Sequence, residues 1–257
     1  MHTLIRLAAA ILCVSMIGAG CASSYVVPGG PANMAMMRTT PALSKNAVTV
    51  GNAPAVIEAV PMAKFPAMIA VARVQASGYS SRSVKGYGGG AYSVVTTRDV
   101  ETDGTVERIA KMPGVAGLAQ LNRLLLPPNL QTEADLREAA GRVQADILVL
   151  YTFDTDFYDR NYAAPLSVVT LGLSPNKRAF VTTTATALIL DARTGYVYGG
   201  AETTEKSDQA ANSWTTDDAV DDTRRRTESR AFEKLVGELE KTWPMIAARY
   251  GQPTAQP

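Results

Sequence analysis

The sequence predicts an α/β fold, an α+β sandwich in which a mixed β-sheet with a long C-terminal hairpin is packed by helices, one of them an amphipathic C-terminal helix. Three observations carry that prediction. A helical segment, 132–144, leads directly into the continuous apolar run 146–151 (DILVLY), the composition of a central strand covered on both faces. Two long strand-like stretches, 178–191 and 196–206, flank the turn Ala192-Arg193-Thr194-Gly195 and so predict a hairpin. Phe232, Leu235, Val236, Leu239 and Trp243 fall on one stripe of a helix over 223–243.

The N-terminus reads as an address. Arg6 makes a short basic region, and residues 7–17 (LAAAILCVSMI) form an apolar run too short for a membrane span, which needs roughly 20 residues. Gly18, Ala19 and Gly20 then lead into Cys21, the pattern of a secretory signal with a small-residue cleavage site. The cysteine at the cut resembles a bacterial lipobox, although Gly18 stands where an aliphatic residue is usual. That resemblance implies that 1–20 is a signal peptide and that Cys21 becomes the lipidated first residue of the mature protein, in contact with the bilayer. Ala22 resembles the residue that sends such proteins to the outer membrane rather than retaining them at the inner one.

Scarcity then excludes chemistry. The chain has 257 residues, a formal net charge of +1, one histidine (His2) and two cysteines (Cys13 and Cys21). Cleavage before Cys21 leaves 24 basic against 24 acidic side chains, no histidine and no free thiol. Thiol nucleophiles, histidine general bases, intramolecular disulfides and His/Cys zinc sites are thereby excluded from the mature chain. Near-neutral charge argues against a nucleic-acid partner. No catalytic residue, metal or cofactor is expected.

From 21 to 62 the chain is rich in Ala, Pro, Gly, Ser, Val and Met, with prolines at 28, 31, 41, 54 and 61, and reads as a flexible tether. Forty such residues have a reach on the order of 35 Å. A single globular domain is expected over 63–250, with a disordered tail at 251–257. Its elements follow in order: a strand at 67–75, a Gly/Ser loop at 79–91, a strand at 92–100 and a short helix at 105–112. Residues 115–126 read as a strand that turns irregular before Pro127-Pro128. In the helix at 132–144, Thr132 and Asp135 resemble a capping box. Pro244 permits a break or kink in the last helix, with 246–250 as a final turn. In the 191–195 turn, Asp191 and Thr194 can bond backbone groups and Gly195 supplies a positive φ, so these three residues are structural.

Several patterns bear on chemistry. Asp154, Asp156 and Asp159 (DTDFYD) could gather a hard cation, but an EF-hand loop would need an oxygen ligand at Tyr158 and a glycine at Asp159, so a solvated strand end is the better reading. The GYGGG run at 86–90 lacks Gly-Lys-[Ser/Thr] and is followed by a strand, which makes it a flexible hairpin loop rather than a phosphate cradle. Ser174 and Lys177 have Ser-x-x-Lys spacing without the partner motifs of penicillin-interacting enzymes. Arg224, Arg225 and Arg226 read as a solvated face paired with Asp221, Asp222 and Glu228. The apolar stretch 163–173 is either a buried β-arm or an exposed loop that docks on a partner through Leu166, Val168, Val169 and Leu171. Trp214, in a polar linker over 207–218, is either a core or an interface anchor.

Two segments, GRVQADILVLYTFDT (141–155) and TATALILDARTGYVYGG (184–200), resemble the helix-to-strand unit and the Asp-x-[Arg/Lys]-Thr-Gly hairpin of CsgG-like and TolB N-terminal-like periplasmic domains. The same α/β domain occurs in lipoprotein activators of penicillin-binding proteins. The sequence lacks the membrane-spanning hairpins of the channel members. The resemblance implies a non-catalytic binding or assembly module for another envelope component, or one that self-associates. The alternatives are a carbohydrate or small-ligand protein, binding or hydrolysing with carboxylates alone, and a structural homo-oligomer.

Overall fold

The computed structural model describes residues 27–33, 59–161, 177–211 and 216–251. Cys21, the signal segment, most of the predicted tether, Leu166, Val168, Val169, Leu171, Ser174, Trp214 and the tail beyond Gly251 lie outside the described residues. In chain order the elements are β1 (Ala67–Ala76), β2 (Gly89–Gly90), β3 (Tyr92–Val95), α1 (Asp103–Ala110), β4 (Val115–Gln120), β5 (Asn129–Leu130), α2 (Glu133–Arg142), β6 (Ile147–Asn161), β7 (Lys177–Asp191), β8 (Val197–Ala211) and α3 (Thr216–Tyr250).

The fold is mixed α/β, built on a six-stranded sheet of order β3-β1-β6-β7-β8 with β4 also on β1. One edge of β1 is divided. Its first half pairs with β4 in parallel and its second half with β3 antiparallel. Its other edge runs parallel to β6 from Ile69 opposite Ile147 to Ala72 opposite Leu150. Strands β6, β7 and β8 form a long antiparallel ribbon, with Ile147 opposite Asp191 and Asn161 opposite Lys177.

Both faces of the sheet's first half are covered. Ile69, Ile147, Val149, Ala187 and Ile189 pack beneath Phe232, Leu235, Val236, Leu239 and Trp243 of α3, with Ile109 of α1 beside them. On the opposite face Ala70, Leu148, Leu150 and Leu190 pack against Leu136, Ala139 and Ala140 of α2. This is why 147–151 is hydrophobic at every position, since alternate side chains enter two different cores. Beyond Phe153 the burial alternates. Asp154 and Asp156 are exposed, whereas Val181, Thr183 and Ala185 remain buried under α3.

Several elements differ from the expectation. The predicted 92–100 strand ends at Val95, because Asp99 and Glu101 leave the ladder to meet a buried arginine. The predicted flexible glycine loop is packed: β2 pairs with β5 in parallel, and a Cβ at Gly90 would lie 2.4 Å from the Leu130 carbonyl oxygen. Strands β6 and β8 run on to Asn161 and Ala211, so the first residues of the predicted 207–218 linker continue the ribbon. Helix α3 starts at Thr216 rather than 223 and passes through Pro244 without ending, the exposed ring costing one backbone bond. Within the predicted tether, Pro31 bridges Gln75 and the buried Ala32 donates its N–H to Thr152 Oγ1 at 3.2 Å.

Candidate functional site

The largest concentration of functional groups lies between the sheet and the first half of α3. On the α3-facing side, β1 supplies Arg73, β6 supplies Tyr151 and Thr155, and β7 supplies Thr183. The 96–102 loop adds Asp99 and Glu101, and the loop after β1 adds Tyr79 and Ser83. Helix α3 presents Asp221, Arg224 and Glu228, spaced i, i+3 and i+7 so that all three share one face.

Two buried guanidiniums tie these groups together. Arg73 Nη1 lies 2.8 Å from Asp99 and 3.5 Å from Glu101, and its Nη2 donates to Tyr79 Oη at 2.9 Å and to Glu228 at 3.3 Å. Its guanidinium carbon sits 4.6 Å from the centre of the Phe153 ring and 5.4 Å from that of Tyr79, which adds cation–π attraction. Arg224 donates to Asp221 at 3.1 Å, Glu228 at 2.7 Å and Ser83 at 3.0 Å, with Asp99 at 3.4 Å. Glu228 also accepts from Thr155, which is bonded to Thr183, and Tyr151 donates to Glu101 at 2.7 Å.

Burial sets the electrostatics. Burial would lower the pKa of Arg73, but the surrounding carboxylates, Glu228 foremost, hold its proton more tightly than usual. Burial pushes the Glu228 carboxyl above the usual range, against the pull of Arg73 and Arg224. Burial, then Glu101, pushes the Tyr151 hydroxyl well up. Breaking one partner of such a network strands opposite charges in low dielectric, so its chemistry is cohesive.

Two depressions adjoin the network. One, of about 470 Å³, is lined by Asp99, Glu101, Asp222, Arg225, Arg226 and Ser229. The other, of about 200 Å³, lies where β3 and β4 diverge from β1 and is mostly apolar, with Val71, Val94, Leu118, Leu121, Tyr151 and Phe232 on its walls.

A second polar hub is the 191–195 turn. Asp191 Oδ1 accepts from the Arg193 and Thr194 N–H groups at 2.9 and 3.0 Å, while Gly195 has φ of 73°. Asp191 Oδ2 accepts from Met62 N–H at 2.6 Å and Tyr198 Oη at 2.8 Å, and Thr194 Oγ1 donates to the Val60 carbonyl. The turn therefore also fastens the incoming 60–63 segment to the sheet. Burial alone would raise the Asp191 pKa, but these hydrogen bonds outweigh it and hold the carboxyl below its usual value.

Other sequence candidates fall elsewhere. Asp154 and Asp156 project from the open face of β6, opposite Thr184 and Thr182, and neither lines the two depressions. Burial and then the neighbouring Asp156 raise the Asp154 pKa. Among the described residues no group of three His, Cys, Asp or Glu side chains is placed to hold a metal. The arginine run requires a correction. Arg225 pairs with Asp222 in the predicted way, but Arg224 is fully buried, because its ion pairs point toward the sheet. The i,i+4 spacing identified the pairing, whereas Thr223 and Thr227, buried around it, were the signal that this face turns inward. Arg73, inside the apolar AMIAVARVQ strand, was missed although an arginine there must be buried with partners.

No family model matches the chain, and no curated protein matches its sequence. Solved structures do. A candidate lipoprotein from Caulobacter crescentus matches at 16% identity and a TM-score of 0.27, covering 45% of this chain and 78% of its own. A Xanthomonas campestris protein of the DUF330 family matches at 13% identity and 0.31, covering 75% and 93%. A hypothetical protein from Chlamydia trachomatis matches at 10% identity and 0.29, covering 71% and 98%. Among the described residues no helix is long and apolar enough to cross a membrane.

Proposed function

We propose that this chain is a bacterial envelope lipoprotein, held by acylated Cys21 in the outer membrane and facing the periplasm, whose domain is a non-catalytic binding module of the CsgG-like and TolB N-terminal-like kind. One observation carries the binding reading: in the distal half of the β6–β8 ribbon the face opposite α3 is open, whereas the charged clusters are closed on themselves inside the fold. Asp154, Thr184 and Thr204 form one row across that face, and Asp156, Thr182 and Lys206 the next. Such a surface, polar and regular, suits a protein partner better than a reaction that needs opposed acids in a cleft. The signal and Cys21 supply the anchor.

The test has two arms. Cys21→Ser should abolish incorporation of a lipid label and release the protein from membranes; unchanged partitioning without label would contradict the anchor. In-cell crosslinking with mass spectrometry should return a specific envelope protein or this chain itself, with crosslinks at Lys206. Recovery of neither would contradict the module.

A further inference from the structure

We infer that the outer edge of β8 pairs with β8 of a second copy of this chain, antiparallel and centred on Thr204. The inference rests on the binding-module reading and names what the ribbon binds. One edge of β8 is bonded to β7 along its length, and among the described residues no strand pairs with the other. Helix α3 does not close that edge. Thr203 Oγ1 donates to the Ala231 carbonyl and Lys234 pairs with Glu205, yet Ala201, Thr203, Glu205 and Ser207, the residues on the α3 side, all remain partly exposed. No proline interrupts residues 197–211, so a row of backbone donors and acceptors is available to another strand.

The charges on β8 select the occupant. A two-fold axis perpendicular to the sheet, which keeps both α3 helices on one side, requires one residue of β8 to face its own copy. Centring on Glu202, Glu205 or Lys206 sets like charges opposite each other, which is unfavourable. Centring on Thr203 places Lys206 opposite Gly200 and forms no ion pair. Centring on Thr204 places Glu202 of each copy opposite Lys206 of the other, with Thr203 opposite Glu205 and Gly200 opposite Asp208. Both members of the new pair are exposed and available. Glu202 accepts only from Thr186 Oγ1, at 3.2 Å, and Lys206 has no ion-pair partner among the described residues. Lys206 is the sole cation of the strand; centring on Ser207 would also set it opposite an acid, Asp208, but would overlap only residues 203–211, whereas centring on Thr204 uses Lys206 twice and pairs the whole of 197–211.

Sedimentation velocity and native mass spectrometry of the full chain in detergent test the pairing by charge exchange. The wild-type chain should dimerise, and Glu202→Lys or Lys206→Glu alone should each weaken the dimer about tenfold or more, since either sets like charges opposite at two places. Glu202→Lys combined with Lys206→Glu should restore it, because the exchanged pairs are again opposite. Circular dichroism should be the same for all four chains, these side chains being exposed. A monomer throughout the micromolar range, or a dimer indifferent to all three variants, would overturn the inference. A monomer that still crosslinks to another envelope protein overturns the pairing alone, whereas a charge-dependent dimer without other partners leaves the pairing standing and confines the module to self-association.

Discussion

The two halves of the long ribbon are built on different terms. At the proximal end, where the first parts of β1 and β6 lie between α2 and α3, residues 67–72 and 147–151 pack into the two apolar clusters and are hydrophobic at successive positions. At the distal end one face is open, and its rows of threonine, aspartate and lysine alternate with buried Val181, Thr183 and Ala185. Between the two, the α3-facing core changes from Ile, Val and Leu to Arg73, Arg224 and Glu228. Apolar burial is non-directional, whereas a guanidinium fork fixes angle and register. The proximal half therefore holds the sheet and helices together, and the ionic junction fixes how the first half of α3 lies on the ribbon.

The largest difference between the halves should come from removing Arg73. Arg73→Met leaves Asp99, Glu101 and Glu228 close together with one arginine fewer, and equilibrium denaturation should show a loss of about 3–5 kcal/mol. A similar cost, about 2–5 kcal/mol, is expected for Leu148→Ala in the proximal core, but by leaving a cavity. The two are separable by pH. Glu228 has a raised folded-state pKa, so the folded protein binds the extra proton and stability falls as pH rises from the unfolded carboxyl pKa through the folded one. Losing Arg73 removes a group that favours the ionised form, so that fall should extend to higher pH in Arg73→Met, whereas Leu148→Ala should shift the profile uniformly.

A smaller effect is expected at the turn that closes the proximal end. Asp191→Asn replaces a carboxylate that accepts four hydrogen bonds with an amide that meets donors with a donor, at a cost of about 1–3 kcal/mol. Because the Asp191 pKa is lowered on folding, its contribution is present in full above about pH 4 and is lost as pH falls through the folded pKa. The acid limb of a stability–pH curve should therefore be flatter in the variant. Amide exchange should also show faster opening at Met62, whose N–H loses its acceptor.

The smallest effect belongs to the half-exposed pair of Arg108 on α1 and Glu240 on α3, joined by two hydrogen bonds at 2.9 and 2.5 Å. Glu240→Gln should cost at most about 1 kcal/mol and should do so only at low salt. A larger, salt-independent loss would mean that the contact of α1 with α3 carries weight assigned here to the core.

How far the sequence spoke for itself follows the same division. The proximal half was readable because covered faces impose periodicity: the DILVLY run, the 132–144 helix, the Asp191 turn and the α3 stripe all lie where pattern and packing coincide. In the distal half β7 was readable over 178–191, but the polar ends of the strands beside it were not, because they resemble loop or linker until a partner strand is known. The aspartates of 154–159 read only as the end of a strand, and the last residues of β8 and the first turns of α3 were missed. Of the ionic junction, the Asp221, Arg224 and Glu228 spacing was visible but its direction was not. Arg73, Asp99 and Glu101 come from β1 and a loop, and their meeting with α3 is a property of topology that no local pattern encodes.

The ionic junction acts as one unit between sheet and helix. A double-mutant cycle on Arg73 and Glu228, with Arg73→Met, Glu228→Gln and the double variant compared by urea denaturation, measures this directly. Coupling of about 1–3 kcal/mol, with the double variant hardly less stable than the worse single, is the predicted result. Single losses that add to within about 0.5 kcal/mol would contradict it.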